Sequence, residues 1–343
     1  MKYREFGRTG IQVSELVFGG GFVGGILVHA DDETKLEALR RALQAGINWI
    51  DTAPLYGQGK SERALGWLLK EVEEAPDLST PHLSTPYLST KVQLDTGDLS
   101  DIPGQIERSV EASLERLQRD SVDLLQLHNP IYAETGGGTA VASGAAIGID
   151  EVLRKDGVAD RLERMRDQGL TRFIGLTALG EAGAIREAIG SGRFDSAQVY
   201  HNLINPSAAR GLPAGYSGHD FTGVIEACRT VGAAVMNIRV LAAGVLATDA
   251  RHGREVVITR GSEIPLEEKR AHAVFDRLGT EYGTRAQTAL RFGLANPDVA
   301  CVIFGLAELS HLEEALGAAE MGPLPQEALD ELGTLYAAEF GAL

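Results

Sequence analysis

The sequence predicts an α/β protein folded as a (β/α)8 barrel behind an N-terminal β-hairpin. Three observations carry that expectation. From residue 15 onward, eight short apolar runs each precede an amphipathic segment. The runs are too far apart for hairpins, so they should pair in parallel through right-handed crossovers. Finally, the glycine run 19–25 does not read as a Rossmann fingerprint, so a doubly wound sheet is not supported. A chain of 343 residues suits one barrel domain spanning 1–343.

Residues 2–14 read as the hairpin, two alternating runs flanking a turn with Gly7 and Gly10. Glu15–Phe18 is the first barrel strand and runs into Gly19-Gly20-Gly21-Phe22-Val23-Gly24-Gly25. Those glycines suit a backbone that something must approach closely, or equally a flexible loop. Asp32–Ala45 carries Leu36, Leu39, Ala42 and Leu43 on one helical face and stops at Gly46. Strand 47–51 and helix 61–69 follow. Leu-Ser-Thr then recurs at 78–80, 83–85 and 88–90 with Pro81 and Pro86 between, an extended low-complexity insertion whose last copy enters the strand ending at Lys91. Ile106, Val110, Ser113, Leu114 and Leu117 line a helix before the strand ending at His128. Helix 150–168, strand 171–176, helix 179–190, strand 196–200, helix 220–231 and strand 233–238 come next. Helices 266–278 and 284–295, strand 300–304 and a helix from about Ser310 complete the series. The segments 130–149, 205–219 and 244–265 are long loops, which in a compact domain are usually functional or mobile.

Composition narrows the class. The formal net charge of −16 argues against non-specific nucleic-acid binding and against an anionic membrane surface. No apolar run approaches the roughly 18 residues of a spanning helix, and Met1–Glu5 lacks a signal-peptide core. Cys228 and Cys301 lie far apart in apolar settings and read as two buried thiols of a cytoplasmic protein rather than a disulfide. No metal site is expected, because His128, His201, His219 and His272 lack zinc-ligand spacing. Oligomeric state is not readable, since no heptad or apolar stripe stands out.

In a barrel of this type the active site lies at the C-terminal strand ends. Asp51, Lys91 and His128 each close an apolar run, and Tyr56 follows Asp51 by a turn at Pro54. Each has an ordinary alternative: turn former, surface charge, satisfied core histidine, rim cover. Together on adjacent strand ends they form a proton-transfer set. A buried lysine beside a tyrosine favours the phenolate and should lower a pKa that starts near 10. Asp51 would orient Lys91, and His128 would hold the reacting oxygen. A tuned general acid contributes about 10²–10⁴ in rate. No GxSxG nucleophile elbow is present, so a partner must supply the reducing equivalent.

The chain resembles the aldo-keto reductases through Phe6-Gly7-Arg8-Thr9-Gly10, Asp51-Thr52-Ala53-Pro54-Leu55-Tyr56-Gly57, Ser61-Glu62, Thr90-Lys91, Asp123–His128, Gln198–Leu203 and Val302-Ile303-Phe304-Gly305. The resemblance implies a TIM barrel binding NADP or NAD without a Rossmann fold, and a small carbonyl or sugar substrate. It implies Tyr56 as general acid, or base in oxidation, with Lys91 lowering its pKa, Asp51 pairing Lys91 and His128 orienting the carbonyl. Around the nicotinamide it implies Thr177 and Gln198 at the carboxamide. The usual Ser-Asn is replaced by Thr177-Ala178, and the usual aromatic ring by Ile238. Gly20, Gly21, Arg239, Leu241, Ala243, Gly244, Ile303, Gly305 and Leu306 complete the implied cofactor contacts, Arg239 reaching a pyrophosphate or else an internal ion pair. Glu308 would repel a 2′-phosphate and accept from a free 2′-hydroxyl, with His311 the one weak cation there. The family default is NADPH while these residues lean to NAD. Trp49 or Phe22 would line the mouth, although Trp49 could equally face the barrel wall. The N-terminal half looks like the branch that oxidises aldoses at C1. A cofactor-binding regulatory subunit is the alternative.

Overall fold

The computed structural model describes residues 1–74, 85–137, 144–213, 216–259 and 261–342. Tyr3–Glu5 (β1) and Gln12–Ser14 (β2) pair antiparallel as the expected hairpin. The barrel strands are Leu16–Gly19 (β3), Trp49–Asp51 (β4), Tyr87–Val92 (β5) and Val122–Leu127 (β6). After a small parallel pair, Ile131–Tyr132 (β7) with Ile147–Gly148 (β8), come Thr171–Ala178 (β9), Ser196–Tyr200 (β10), Ala234–Ile238 (β11) and Val299–Gly305 (β12). They close in chain order, β3-β4-β5-β6-β9-β10-β11-β12, every neighbour parallel, and β12 returns to β3. The eight-unit expectation holds.

The helices cover the barrel because each presents one apolar stripe. After the single turn Ile26–His29 (α1), Asp32–Gln44 (α2) starts on Asp31, whose carboxylate accepts the Thr34 amide at 2.8 Å, and stops before Gly46 at φ +89°. Lys60–Glu74 (α3) buries Ala64, Leu65, Leu68, Leu69 and Val72. Each fully buried leucine contributes about 1.5–3 kcal/mol, so Leu65→Asp would break that contact. Ile102–Leu117 (α4) buries Ile106, Val110, Ser113 and Leu117 as expected.

The expected helix 150–168 is in fact two, Ile149–Leu153 (α5) and Val158–Asp167 (α6). The break falls at Asp156, with φ +59°, and at Gly157, where a Cβ would lie 2.5 Å from the Glu151 carbonyl oxygen. Only glycine fits there. Ala182–Gly190 (α7), Val224–Val231 (α8), Ile264–Leu278 (α9), Arg285–Ala295 (α10), Leu309–Met321 (α11), Gln326–Ala337 (α12) and Glu339–Ala342 (α13) complete the α-helices of the described residues. Of the Leu-Ser-Thr repeat, the third copy is part of β5; the first two, apart from Thr85, lie outside the described residues.

Three apolar clusters result among the described residues: one separates strands from helices, one fills the barrel with Val17, Leu124, Met236, Cys301 and Ile303, and one joins Val245 and Leu246 to α9 and α12 through Val274 and Leu332. The hairpin closes the N-terminal end, Phe6 packing on Trp49 with centroids 4.6 Å apart. Trp49 is fully buried, so it belongs to the wall and not to the mouth. Phe22 remains exposed. Both cysteines are buried and free. Among the described residues, no helix is long and apolar enough to cross a membrane.

Candidate active site

Strand register brings the chemistry together. Asp51 pairs with Ser89, and Lys91 with Gln126, so the ends of β4, β5 and β6 meet. Lys91 Nζ donates to Asp51 Oδ2 at 2.6 Å, to the Thr52 carbonyl at 2.9 Å and to Tyr56 Oη at 3.2 Å. Asp51 and Lys91 are almost fully buried. His128 follows β6, its amide bonded to the Val92 carbonyl, and its ring meets the half-buried Tyr56 ring edge-on with centroids 6.0 Å apart. The four residues expected to converge do so.

Their electrostatics differ from expectation at one point. Burial pushes the Tyr56 phenol above its ordinary value; Lys91 pulls it down, Asp51 pushes it up, and the net direction is upward. The expected lowering by Lys91 exists as a pull that desolvation outweighs. Burial also works against the Lys91 charge, but Asp51 and Tyr56 outweigh it and raise its pKa. Burial and then Lys91 hold His128 down at about 3, so its imidazole is neutral at neutral pH. A neutral imidazole can donate to a substrate oxygen without competing for the Tyr56 proton.

A shell that sequence reasoning missed surrounds Asp51. Its Oδ1 accepts from Ser89 Oγ at 2.8 Å, Gln198 Nε2 at 2.7 Å and Gln126 Nε2 at 3.3 Å. The signal was available: Ser89 lies two residues before Lys91, and Gln126 two before His128, each on the same strand face by alternation. Behind it, Ser61 Oγ donates to the Gly20 carbonyl at 3.0 Å and shares a 2.8 Å bond with Thr52 Oγ1. Glu62 joins Thr90 and Arg116, both at 2.6 Å. The Ser61-Glu62 pair thus ties α3 to β3, β5 and α4.

The remaining residues spread around the mouth. Gly20 is packed so tightly that a Cβ would lie 2.6 Å from Ser61 Oγ, whereas a Cβ on Gly21 would meet only Tyr56 Cζ at 4.0 Å. Thr177 pairs with Gln198, and its buried Oγ1 has no partner. The Gln198 amide reaches Asp51, as above. Half-buried Ile238 leads to Arg239, which donates to the Val256 carbonyl, keeps Nε unpartnered and forms no ion pair among the described residues. Arg239, Ala242 and Ala243 have φ of +60°, +45° and +57°, left-handed values that non-glycine residues keep only where the surroundings impose them. Gly244, at φ +96°, ends that turn, and Leu241 packs into the apolar core. Ile303 and Leu306 are buried and Gly305 is exposed. Leu306 is wholly buried and its carbonyl accepts the Ile26 amide, so it offers no free surface to a ligand. Glu308 and His311 are exposed; His311 Nδ1 accepts the Ala307 amide at 3.2 Å, leaving Nε2 free to face a ligand.

These residues suit a dinucleotide. Thr177 Oγ1, His128 Nδ1 and Arg239 Nε are buried polar atoms with no partner, and Gly21 leaves open space beside the Tyr56 ring. A guanidinium, a hydroxyl and exposed backbone match a diphosphate and an amide.

The aldo/keto reductase family model matches residues 15–337. The chain belongs to that family. Family members use NAD(P)H as redox partner. L-galactose dehydrogenase of Arabidopsis thaliana is 27% identical over 338 residues, covering 97% of this chain and 93% of that protein. D-threo-aldose 1-dehydrogenase of a Pseudomonas species is 28% identical over 237 residues, covering 64% and 66%. A probable voltage-gated potassium channel subunit beta of Arabidopsis thaliana is 25% identical, covering 94% and 93%. The holo form of an aldo-keto reductase from Bacillus halodurans superposes with a TM-score of 0.71 at 25% identity, covering 98% and 97%.

Proposed function

We propose that residues 1–343 act as one barrel domain that interconverts a carbonyl (aldehyde, ketone or aldose) and an alcohol or lactone, with Tyr56 as general acid in reduction and base in oxidation. The single observation that carries this reading is the Lys91 ammonium bonded to both Asp51 and the Tyr56 oxygen. NAD(P), when bound, exchanges the hydride. Thr177 and Gln198 would hold its carboxamide, Arg239 and the turn through Gly244 its diphosphate, and Gly305–His311 its adenosine end. His128, kept neutral, orients the substrate oxygen against Tyr56. Lys91 stabilises the phenolate that remains after the proton leaves, and Asp51 keeps the lysine charged and aimed. Similarity to L-galactose and D-threo-aldose dehydrogenases favours free aldoses as substrates.

A regulatory subunit with little turnover is the second reading, favoured by the channel-subunit likeness. Steady-state turnover with aldoses and NAD(P)⁺, and with simple aldehydes and NAD(P)H, separates the two: tight binding without turnover would support regulation. Tyr56→Phe should lose about 10²–10⁴ in kcat while cofactor fluorescence titrates as in the wild type. A fully active Tyr56→Phe would sink the enzymatic assignment.

A further inference from the structure

Asp51 sits among more donors than its lysine partner requires. Oδ2 holds Lys91, while Oδ1 accepts from Ser89, Gln126 and Gln198. Trp49 Nε1 donates to Ser89 Oγ at 3.0 Å, and the serine proton has Asp51 Oδ1 at 2.8 Å as a nearer acceptor than the Ile50 carbonyl at 3.4 Å. Gln126 is fully buried, yet its Oε1 has no partner. A half-satisfied buried amide is a poor packing residue, because burying the unpaired oxygen costs free energy that a leucine would not. Its one bond from the side chain, to Asp51, is therefore the feature that needs explaining.

We propose that Ser89 and Gln126 are positioning residues of the reaction, dividing the Asp51 charge between Lys91 and neutral donors so that more of the lysine's field reaches Tyr56. This rests on the reading of Tyr56 as acid and base. A carboxylate that accepts several hydrogen bonds in a dry site has its negative charge shared among all its donors. It then binds the Lys91 ammonium less tightly and projects a weaker negative field onto the phenol. The other titratable groups facing this pair are His128 after β6, Arg239 after β11 and the Cys301 thiol of β12. None donates a hydrogen bond to Asp51. Removing a donor concentrates the charge on Asp51 and raises the Tyr56 pKa.

The test is the pH dependence of kcat/KM in both directions for Gln126→Met and Ser89→Ala, with Ser89→Thr as the conservative rescue. Oxidation needs the phenolate, so its rising limb should move to higher pH by about half a unit or more, a loss of about threefold or more below that limb. The falling limb of reduction should move the same way, and Ser89→Thr should restore the wild-type position. NADH and NADPH affinities, read by fluorescence, should stay within about twofold of wild type, consistent with residues that touch no cofactor. Ser89→Ala carries the test if Gln126→Met does not fold. Limbs unmoved in the folded variants, with only the melting temperature lowered, would overturn the proposal. An active Tyr56→Phe would instead overturn the reading beneath it.

Discussion

At the ends of β4 and β5, Asp51, Lys91 and Tyr56 are joined by short polar contacts between buried or half-buried groups. At the ends of β9 and β11, by contrast, Thr177 Oγ1 and Arg239 Nε have no partner, and the backbone from Arg239 to Ala243 repeatedly takes left-handed values. In the first region Asp51, Lys91 and Tyr56 are bonded to one another, while His128 Nδ1 and Gln126 Oε1 beside them have no partner. The second keeps polar groups unpaired and backbone in costly conformations, as a binding surface does. The two regions are thus built differently: one around an ion pair between strand ends, the other from unpaired groups and loop backbone.

The sharpest way to break the contrast is Lys91→Met. It leaves Asp51 buried without its counter-charge, which should cost about 3–5 kcal/mol of stability, read by urea unfolding, and remove most turnover. A stable, active variant would mean that the first region is not pre-organised. Arg239→Leu probes the second region. It should weaken NAD(P)H binding about tenfold to a hundredfold, the size of a lost charge-assisted hydrogen bond, with little change in kcat at saturating cofactor. An unchanged affinity would place the diphosphate elsewhere.

A third outcome concerns pH. His128 is held at about 3 and His201 at about 4, against 6.5 for a free imidazole. Below 6.5 the unfolded chain gains protons that the folded one refuses. The stability these neutral imidazoles allow is therefore complete above 6.5 and falls as pH drops towards 4, by about 1.4 kcal/mol per unit for each. His128→Gln should flatten that slope; denaturant unfolding at several pH values measures it, and an equal slope would refute it. The smallest effect is expected from Glu308→Arg, exposed and screened. It should raise preference for NADPH over NADH by about tenfold or less, and no change would mean Glu308 is away from the ribose.

Much of the Asp51, Tyr56, Lys91 and His128 corner was legible because ionisable residues closing successive apolar runs fall together at one end of a parallel barrel. Ser89 and Gln126 share a strand face with Lys91 and His128 two residues on, but an uncharged serine or glutamine inside a strand does not say which carboxylate it faces; register does. The direction of the Tyr56 shift was also out of reach: it depends on how far burial outweighs Lys91, a balance of surroundings rather than of neighbours in sequence. The break between α5 and α6 stayed hidden for a similar reason, because the apolar period continues across Gly157 while the Glu151 carbonyl decides that only glycine fits.

Pattern alone therefore determined the eight-stranded barrel, its hairpin and the strand ends that carry Asp51, Lys91 and His128, because hydrophobic period and chain order are local properties. Tertiary structure decided the rest. Trp49 went to the wall because Phe6 packs on it, Gln198 turned its amide to Asp51, and Arg239 was left without an ion pair among the described residues because closure of β11 beside β10 and β12 sets what its guanidinium can reach. Those outcomes depend on distances across the barrel, which no stretch of sequence contains.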